Sequence, residues 1–306
     1  MNRMKKSVVV ALLAALCVAA WAASQEELLI QAVKNHDIPT LRILIRQWAN
    51  LDYTYEDGKS ALMYACKDSW YEGVVFLLGE NANVELTDRY GRTALMYAVQ
   101  SGYIMSVRLL INNGANINVS DYEGKTALMY AIENQVNDIV DLLLRQGADC
   151  FAKDSYGNTV AMYAVKYQNL MALDKLLERS PFVDWNQTNG EGISPFTAAC
   201  MRGDLYAIKQ LLEKVPVNIS DSRIDGMPII IWLIANRKAP AIIKCIMEYC
   251  NPEEILSMTD HEEHDIKYWA EKQGYENILM RLYDYEIEKK ESRQKRAYSK
   301  SIRRNF

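Results

Sequence analysis

The chain has 306 residues, of which 50% are hydrophobic and 24% are charged, a composition that is ordinary for a globular protein with a sizeable core. Only 14 glycines and 7 prolines are present, which argues against a turn-rich all-β fold. The formal net charge of −4 argues against a protein that binds nucleic acid through phosphate contacts.

The N-terminal residues have the pattern of a secretory signal peptide. Three cations among the first six residues precede an uncharged stretch, residues 7–23, and Ala20-Trp21-Ala22 offers an A-x-A cleavage site. We therefore expect an exported protein of bacterial type, periplasmic or secreted, whose mature chain begins near Ser24 and has no transmembrane span. The alternative is an anchor formed by the uncleaved segment, because its 17 uncharged residues reach the short limit of a spanning helix.

A phrase then recurs at a pitch of 33 residues, and such a period decides the fold class. It reads GKSALMYA from Gly58, GRTALMYA from Gly91, GKTALMYA from Gly124 and GNTVAMYA from Gly157. Weaker copies begin at Gly192 and Gly226, and Ala32 lies 33 residues before Ala65. About eight repeats are therefore expected, of which the first and the last are irregular.

The local signals within residues 121–154 predict a turn followed by two helices. Gly124 suits a turn position with positive φ, and Thr126 suits the N-cap of a first helix, ALMYAIEN. The apolar stretch IVDLLLRQ predicts a second helix, which Gly147 ends as a left-handed cap. Equivalent N-cap residues in the other repeats are Ser60, Thr93, Thr159 and Ser194.

These repeats resemble the ankyrin repeat. The family phrase D-x-x-G-x-T-P-L-H-x-A is matched by DYEGKTALMYA at residues 121–131, followed by a helix, a link, a second helix and the loop GADC. Ala127, Met129 and Tyr130 stand where the family has proline, histidine and, commonly, an aliphatic residue. The resemblance covers about residues 24–285 and implies an all-α repeat fold, an ankyrin-repeat solenoid of stacked helix-turn-helix units with short β-hairpin-like loops.

The pitch predicts a division of the chain into ten segments. These are a signal peptide (1–23), an N-terminal capping repeat (24–57), four ankyrin repeats (58–90, 91–123, 124–156 and 157–191), two divergent ankyrin repeats (192–225 and 226–262), C-terminal capping helices (263–287) and a basic tail (288–306).

The Met-Tyr pair of the phrase also recurs, and we interpret it as packing between repeats. Methionine adapts to irregular gaps, and tyrosine can bury its ring while its hydroxyl reaches the edge of the core. The alternative is a methionine surface for a soft metal ion such as Cu(I), but no Cys or His recurs in step with the methionines. No metal site and no cofactor are therefore predicted from these ladders.

The resemblance also implies where a partner would bind. In ankyrin arrays the hairpin tips and the exposed side of each first helix form a concave surface, and here these positions vary between repeats and are rich in Tyr and Arg, the side chains that dominate interface energies. The alternative is an ordinary solvated face, since loop tips are usually polar. The predicted partner-binding residues are Asp57, Lys59, Lys67, Asp68, Arg89, Tyr90, Arg92, Gln100, Ser101, Tyr103, Tyr122, Glu123, Lys125, Glu133, Asn134, Tyr156, Asn158, Lys166 and Tyr167.

Two features near the C-terminus suggest other chemistry. The sequence HEEH places His261 and His264 three residues apart, which could hold a metal ion, although a third ligand cannot be named. Residues 287–306 contain eight Lys or Arg and two Glu, a net charge of +6, and could make weak contact with an anionic surface. We interpret the first as a charged segment near the C-terminal cap and the second as a solvated, fraying end.

No catalytic motif is present, so we predict a monomeric, non-catalytic module that binds an unidentified protein and no nucleic acid. The alternatives are a secreted effector that acts on a host or competitor protein, and a metal-binding protein that uses the His261 region.

Overall fold

The computed structural model describes residues 25–47, 49–179, 183–238, 240–285, 287–288 and 291. The predicted signal peptide lies outside these residues, and so does nearly all of the predicted basic tail. The chain divides into two compact halves, Met1–Ser155 and Tyr156–Phe306, and each is built from helix pairs.

The N-terminal half contains four helix pairs among the described residues. First helices pack on the first helix of the next repeat, and second helices pack likewise on second helices. This is the stacking that lets neighbouring repeats bury one another's apolar faces. The helices are α1 (25–34), α2 (Ile38–Arg46), α3 (Ala61–Lys67), α4 (Tyr71–Gly79), α5 (Ala94–Gln100), α6 (Ile104–Asn112), α7 (Ala127–Glu133) and α8 (Asn137–Arg145).

The C-terminal half continues the same arrangement and adds one short helix, α15. Within its described residues a two-stranded ladder pairs Arg223 with Pro228 and Ile224 with Met227, and the turn between the strands consists of Asp225 and Gly226, which both have positive φ. The elements are α9 (Val160–Lys166), α10 (Leu170–Glu178), α11 (Pro195–Arg202), α12 (Leu205–Lys214), β1 (Arg223–Ile224), β2 (Met227–Pro228), α13 (Ile229–Ala235), α14 (Pro240–Tyr249), α15 (Pro252–Ser257), α16 (Ile266–Gln273) and α17 (276–285). The prediction of an all-α repeat fold is confirmed.

The predicted N-caps are confirmed, and they explain where the first helices begin. The hydroxyls of Ser60, Thr93 and Thr126 each accept a hydrogen bond of 3.4 Å from the backbone N–H three residues later. Such a bond satisfies one of the donors that a helix N-terminus leaves unpaired. Helix α8 begins at Asn137, two residues before the predicted stretch, so that Asp138 lies in its first turn near the positive end of the helix dipole.

The Met and Tyr ladders form part of the core. Met63, Met96 and Met129 are at most 1% exposed, and their neighbours Tyr64, Tyr97 and Tyr130 are also buried. Each phrase therefore contributes nearly all of a first helix to the interior of its half, and only the helix end reaches the surface.

A ladder of hydrogen bonds joins the loops that follow the second helices. In the N-terminal half, the Asn83 N–H donates to the Asp52 side chain at 2.9 Å, and the Asn116 N–H donates to the Glu85 side chain at 2.8 Å. The Asp149 N–H repeats the contact with Asn118 at 2.9 Å. Every one of these bonds runs from the backbone of one repeat to a side chain of the repeat before it.

The link between the two helices of a pair contains a residue in the left-handed region. That conformation costs an L-residue about 1–2 kcal/mol, and glycine adopts it freely. Three of the eight repeats have glycine there and five do not. The residues are His36, Ser69, Gly102, Gln135, Gln168, Gly203, Arg237 and Gly274, with φ between 50° and 78°.

We expect Ser69→Gly to raise the free energy of unfolding by about 0.5–1 kcal/mol, because it relieves this strain at an exposed position and keeps the backbone hydrogen bonds of the link. The reverse change one repeat later, Gly102→Ser, is the matched control and should destabilise the protein. Urea unfolding followed by circular dichroism measures both. A lower stability for Ser69→Gly would contradict this account of the link.

Candidate protein-binding face

The hairpin tips of neighbouring repeats lie in direct backbone contact. The Tyr122 N–H donates to the Tyr90 carbonyl at 2.9 Å, and the Ser155 N–H donates to the Glu123 carbonyl at 2.7 Å. A Cβ on Gly91 would lie 2.7 Å from the ring of Tyr122, and a Cβ on Gly58 would lie 2.6 Å from the Arg89 nitrogen. Glycine is thus required here for close approach as well as for positive φ.

A buried carboxylate, Asp88, ties its hairpin to the first helix that follows. Oδ1 of Asp88 accepts backbone hydrogen bonds of 2.9 Å from Tyr90 and Arg92, while Oδ2 accepts from the Tyr97 hydroxyl at 2.5 Å. Nε and Nη2 of Arg92 donate to the same Oδ2 at 3.0 and 2.9 Å. Burial alone would raise the pKa of Asp88, but these hydrogen bonds favour the charged form and lower it.

The next hairpin repeats this geometry, and the preceding one varies it. The Tyr130 hydroxyl donates to Asp121 at 2.5 Å. In the repeat that begins at Gly58, Tyr55 occupies the place of the aspartate, and Asp57 takes over its role by accepting from the Tyr64 hydroxyl at 2.8 Å. Burial opposes ionisation of Asp57, but hydrogen bonds from Lys59 and Tyr64 outweigh it and lower the pKa to about 2.

In the N-terminal half, the cation that follows the turn glycine lies over the buried tyrosines. The ammonium of Lys59 is 5.8 Å from the centre of the Tyr64 ring and 5.7 Å from that of Tyr97. The guanidinium of Arg92 is 5.0 Å from the centre of the Tyr97 ring, and the ammonium of Lys125 is 5.6 Å from that of Tyr130. These separations are within the range of cation–π attraction. Lys59 is only 8% exposed, so it supports the face and offers little contact area of its own.

A cavity of about 350 Å³ opens between these cations, and we call it the Lys67 cavity. Its lining residues are Lys59, Lys67, Arg92, Tyr97, Gln100 and Ser101. The ammonium of Lys59 is paired with Asp57 at 2.6 Å, and Arg92 is paired with Asp88 at 2.9 Å. Lys67 has no ion pair among the described residues, so the cavity keeps about one positive charge after internal pairing.

Two exposed tyrosines stand near this cavity, at the hairpin tips. Tyr90 is 62% exposed and Tyr122 is 76% exposed, both far above the core tyrosines. Arg89 and Glu123 are exposed beside them. We call these tips, together with the Lys67 cavity and the first-helix ends, the hairpin face of the N-terminal half.

The remaining predicted residues of this half lie at the edge of the hairpin face. Asp68 and Asn134 are exposed C-cap residues of α3 and α7. Glu133 lies 3.4 Å from the ammonium of Lys125. Tyr103 is partly covered, because its ring meets that of Tyr71 edge-on at 5.7 Å.

The predicted residues of the C-terminal half form a separate group. Tyr156 is 71% exposed, and its carbonyl accepts from the Gly190 N–H at 2.9 Å. Asn158 accepts from the Asn189 amide at 2.8 Å. The ammonium of Lys166 lies 5.4 Å from the centre of the Tyr167 ring. These residues repeat the hairpin geometry in their own half.

The HEEH segment is a terminal copy of the same hairpin. Oδ2 of Asp260 accepts from the Trp269 indole N–H at 2.8 Å, just as the other carboxylates accept from tyrosine. His264 stacks on Tyr268 with ring centres 3.9 Å apart, and His261 is exposed. Within the described part of the chain, no three His, Cys, Asp or Glu side chains are grouped so that they could hold a metal ion.

Sequence reasoning did not assign the aspartate or the buried tyrosine to the face, although both matter there. The signal was available, because Asp88, Asp121, Asp154 and Asp260 stand at one position of the repeat. Tyr97 was assigned to packing alone, yet its ring lines the Lys67 cavity.

Comparison with known proteins identifies the repeats. The family model described as "Ankyrin repeats (3 copies)" matches residues 29–121 and 107–189, which together cover more than half of the chain. No curated protein sequence matches this chain. Across the described residues, no helix combines the length and the apolar character that crossing a membrane requires.

We expect Asp88→Asn to lower the free energy of unfolding by about 3 kcal/mol at pH 7, because it leaves Arg92 and Tyr97 without their charged acceptor. The folded-state pKa of Asp88 is lowered, so its contribution is complete above the unfolded pKa near 3.8 and is lost as the pH falls further. The difference between the two proteins should therefore shrink from pH 5 to pH 2.

Urea unfolding at a series of pH values measures this difference. The exposed carboxylate in Asp68→Asn is the control for a simple change of net charge, and its effect should be small throughout. A difference for Asp88→Asn that does not vary with pH would contradict the role of the buried carboxylate.

The matched repeats and their helix pairs establish the family: the chain is a member of the ankyrin-repeat family.

Proposed function

We propose that this chain is an exported, monomeric, non-catalytic module that binds a protein partner through the hairpin face of its N-terminal half. Ankyrin repeats are generic protein–protein interaction modules and are typically non-catalytic, which supports the general class. The hairpin face supports the finer proposal, because it joins exposed aromatic side chains to a polar cavity.

The observation that carries the proposal is the Lys67 cavity together with the exposed tyrosines of two neighbouring hairpin tips, Tyr90 and Tyr122. Exposed Tyr and Arg side chains around a recess are the usual anchors of protein interfaces, since they bury a large area with few rotatable bonds. The backbone hydrogen bond between Tyr90 and Tyr122 fixes the spacing of their hairpins. A partner therefore meets a surface that loses little conformational freedom on binding.

The charge of the cavity indicates what it receives. Lys59 and Arg92 already face carboxylates, and Lys67 is the cation without an ion pair among the described residues. One carboxylate from the partner would give the third cation of the cavity, Lys67, an ion pair as well. We propose that an acidic side chain of the partner enters the Lys67 cavity while Tyr90 and Tyr122 pack against the residues on either side of it.

The location of the protein is a proposal of its own, based on residues 1–23. We propose export to the periplasm or the medium, with an uncleaved anchor as the alternative outcome. The basic tail would add at most weak contact with an anionic surface, and the acidic body makes nucleic acid an unsuitable partner.

We expect a photo-crosslinking amino acid at position 122 to capture a discrete protein partner in the native compartment. The same group at position 105 is the control, because Met105 is exposed on α6, away from the hairpin tips. The double variant Tyr90→Ala with Tyr122→Ala removes both exposed rings, and the variant Lys67→Glu reverses the charge of the cavity. Each of these two variants should weaken binding of the captured partner about tenfold or more.

Thermal unfolding should change little in these variants, since all three side chains are exposed. Equal capture from positions 122 and 105, or an unchanged affinity in both variants, would remove the hairpin face from consideration.

For export, we expect the protein recovered from the periplasm or medium to begin at Ala23 or Ser24. N-terminal sequencing of that fraction measures this directly. A protein found in the membrane fraction with Met1 still present would identify the segment as an anchor.

A further inference from the structure

A second cavity, of about 750 Å³, lies in the C-terminal half, and neither the family nor the proposed partner-binding role accounts for it. It opens between the last two helix pairs, where α14 faces the start of α17. Pro240, Lys244 and Met247 line it from positions i, i+4 and i+7 of α14, which share one helix face. Ile278 and Arg281 line it from α17.

Three hydrogen bonds between the links of the two repeats hold this cavity in shape. Nε of Arg237 donates to the Gln273 side chain at 2.7 Å, and the Gln273 amide donates to the Ala235 carbonyl at 3.3 Å. The Tyr275 hydroxyl donates to the Lys238 carbonyl at 2.8 Å. Because these bonds cross from one repeat to the next, the wall of the cavity is formed before any ligand arrives.

The cavity combines an apolar floor with a cationic rim. Met247 and Ile278 are 6% and 7% exposed and supply the apolar part. Arg237, Lys244 and Arg281 supply three positive charges, and none of them has a carboxylate partner among the described residues.

Glu276 is the acidic residue of the lining, so the rim has a net charge of about +2. This contrasts with the Lys67 cavity, where Asp57 and Asp88 compensate two of the three cations. Three cations that repel one another around a recess favour an anion that carries more than one charge.

The size and chemistry of this recess fit a small organic anion. Small-molecule sites usually enclose about 300–1,000 Å³ and combine apolar walls with a few convergent polar groups. Guanidinium and ammonium groups are the side chains that proteins use to hold phosphate. A phosphate monoester is close to doubly charged at neutral pH, which matches the rim better than a single carboxylate does.

We propose that this cavity binds an organic phosphate, with the phosphate among Arg237, Lys244 and Arg281 and the organic group against Met247 and Ile278. The phosphate monoester is either a soluble compound or the head group of an anionic lipid such as phosphatidic acid. The site is independent of the hairpin face, which lies in the other half of the chain.

Isothermal titration calorimetry of the purified protein with phenyl phosphate and with inorganic phosphate, at constant ionic strength, tests the proposal. Co-sedimentation with phosphatidylcholine vesicles, with and without phosphatidic acid, tests the lipid source. The variant Lys244→Ala with Arg281→Ala removes two rim charges. The matched control, Lys209→Ala with Lys214→Ala, removes two exposed charges from α12 in the same half.

We expect phenyl phosphate to bind several-fold more tightly than inorganic phosphate, and the rim variant, but not the control, to lose about tenfold or more in affinity. Binding to phosphatidic acid vesicles alone, with the same dependence on the rim, would support the proposal and identify a lipid source. Equal affinity for the two soluble phosphates would overturn the apolar part of the site. The absence of binding to phenyl phosphate, inorganic phosphate and phosphatidic acid vesicles alike, or the same loss in the control, would overturn the site itself.

Discussion

In two repeats of the N-terminal half, a buried carboxylate joins the hairpin to the first helix that follows it, and the hairpin face depends on this contact. In the best-formed example Asp88 receives hydrogen bonds from two backbone N–H groups, one guanidinium and one phenol. The backbone bonds set the turn, the phenol fixes the turn against the core, and the guanidinium is drawn over the tyrosine rings. As a result, an exposed tyrosine such as Tyr90 has a fixed position relative to the ends of the first helices.

Charge compensation distinguishes the Lys67 cavity from the C-terminal cavity. In the Lys67 cavity the structural carboxylates sit directly behind two of the cations, so those cations are shared between the fold and any ligand. Around the C-terminal cavity, hydrogen bonds to uncharged acceptors hold the wall, so no carboxylate of the fold neutralises the rim charges. The same family of repeats thus produces one surface suited to a single acidic side chain and another suited to a doubly charged ligand.

Much of the fold follows from short-range signals that can be read directly from residue types. The turn glycines, the Ser and Thr caps and the left-handed cap at Gly147 were predicted from their residue types, because each acts on its own backbone within a few positions. The approximate positions of the exposed tyrosines followed from the resemblance to ankyrin repeats, since the repeat pitch places hairpin tips on one side.

The direction of individual side chains could not be predicted in this way. Lys59 was expected to be an open contact residue, yet it is buried because Tyr97, 38 residues later, supplies one of the rings beneath it. Tyr55 stands where the other repeats have the aspartate, and Asp57 accepts the tyrosine hydroxyl in its place. This replacement depends on how far one side chain reaches within a tight turn. The C-terminal cavity has no sequence signal, because packing alone brings Arg237 and Arg281 to the lining of one cavity.

The ladder of loop hydrogen bonds has a consequence for how the chain can change in length. In the N-terminal half, a backbone N–H of each repeat donates to a side chain of the repeat before it, so Asp52 accepts from Asn83 as Glu85 accepts from Asn116. Excising one whole period brings the donor of a later repeat to the acceptor of an earlier one, and no polar group loses its partner. A deletion of any other length takes the donor and the acceptor out of register. The array is therefore a directional series of equivalent repeats, and the number of repeats can change in steps of one.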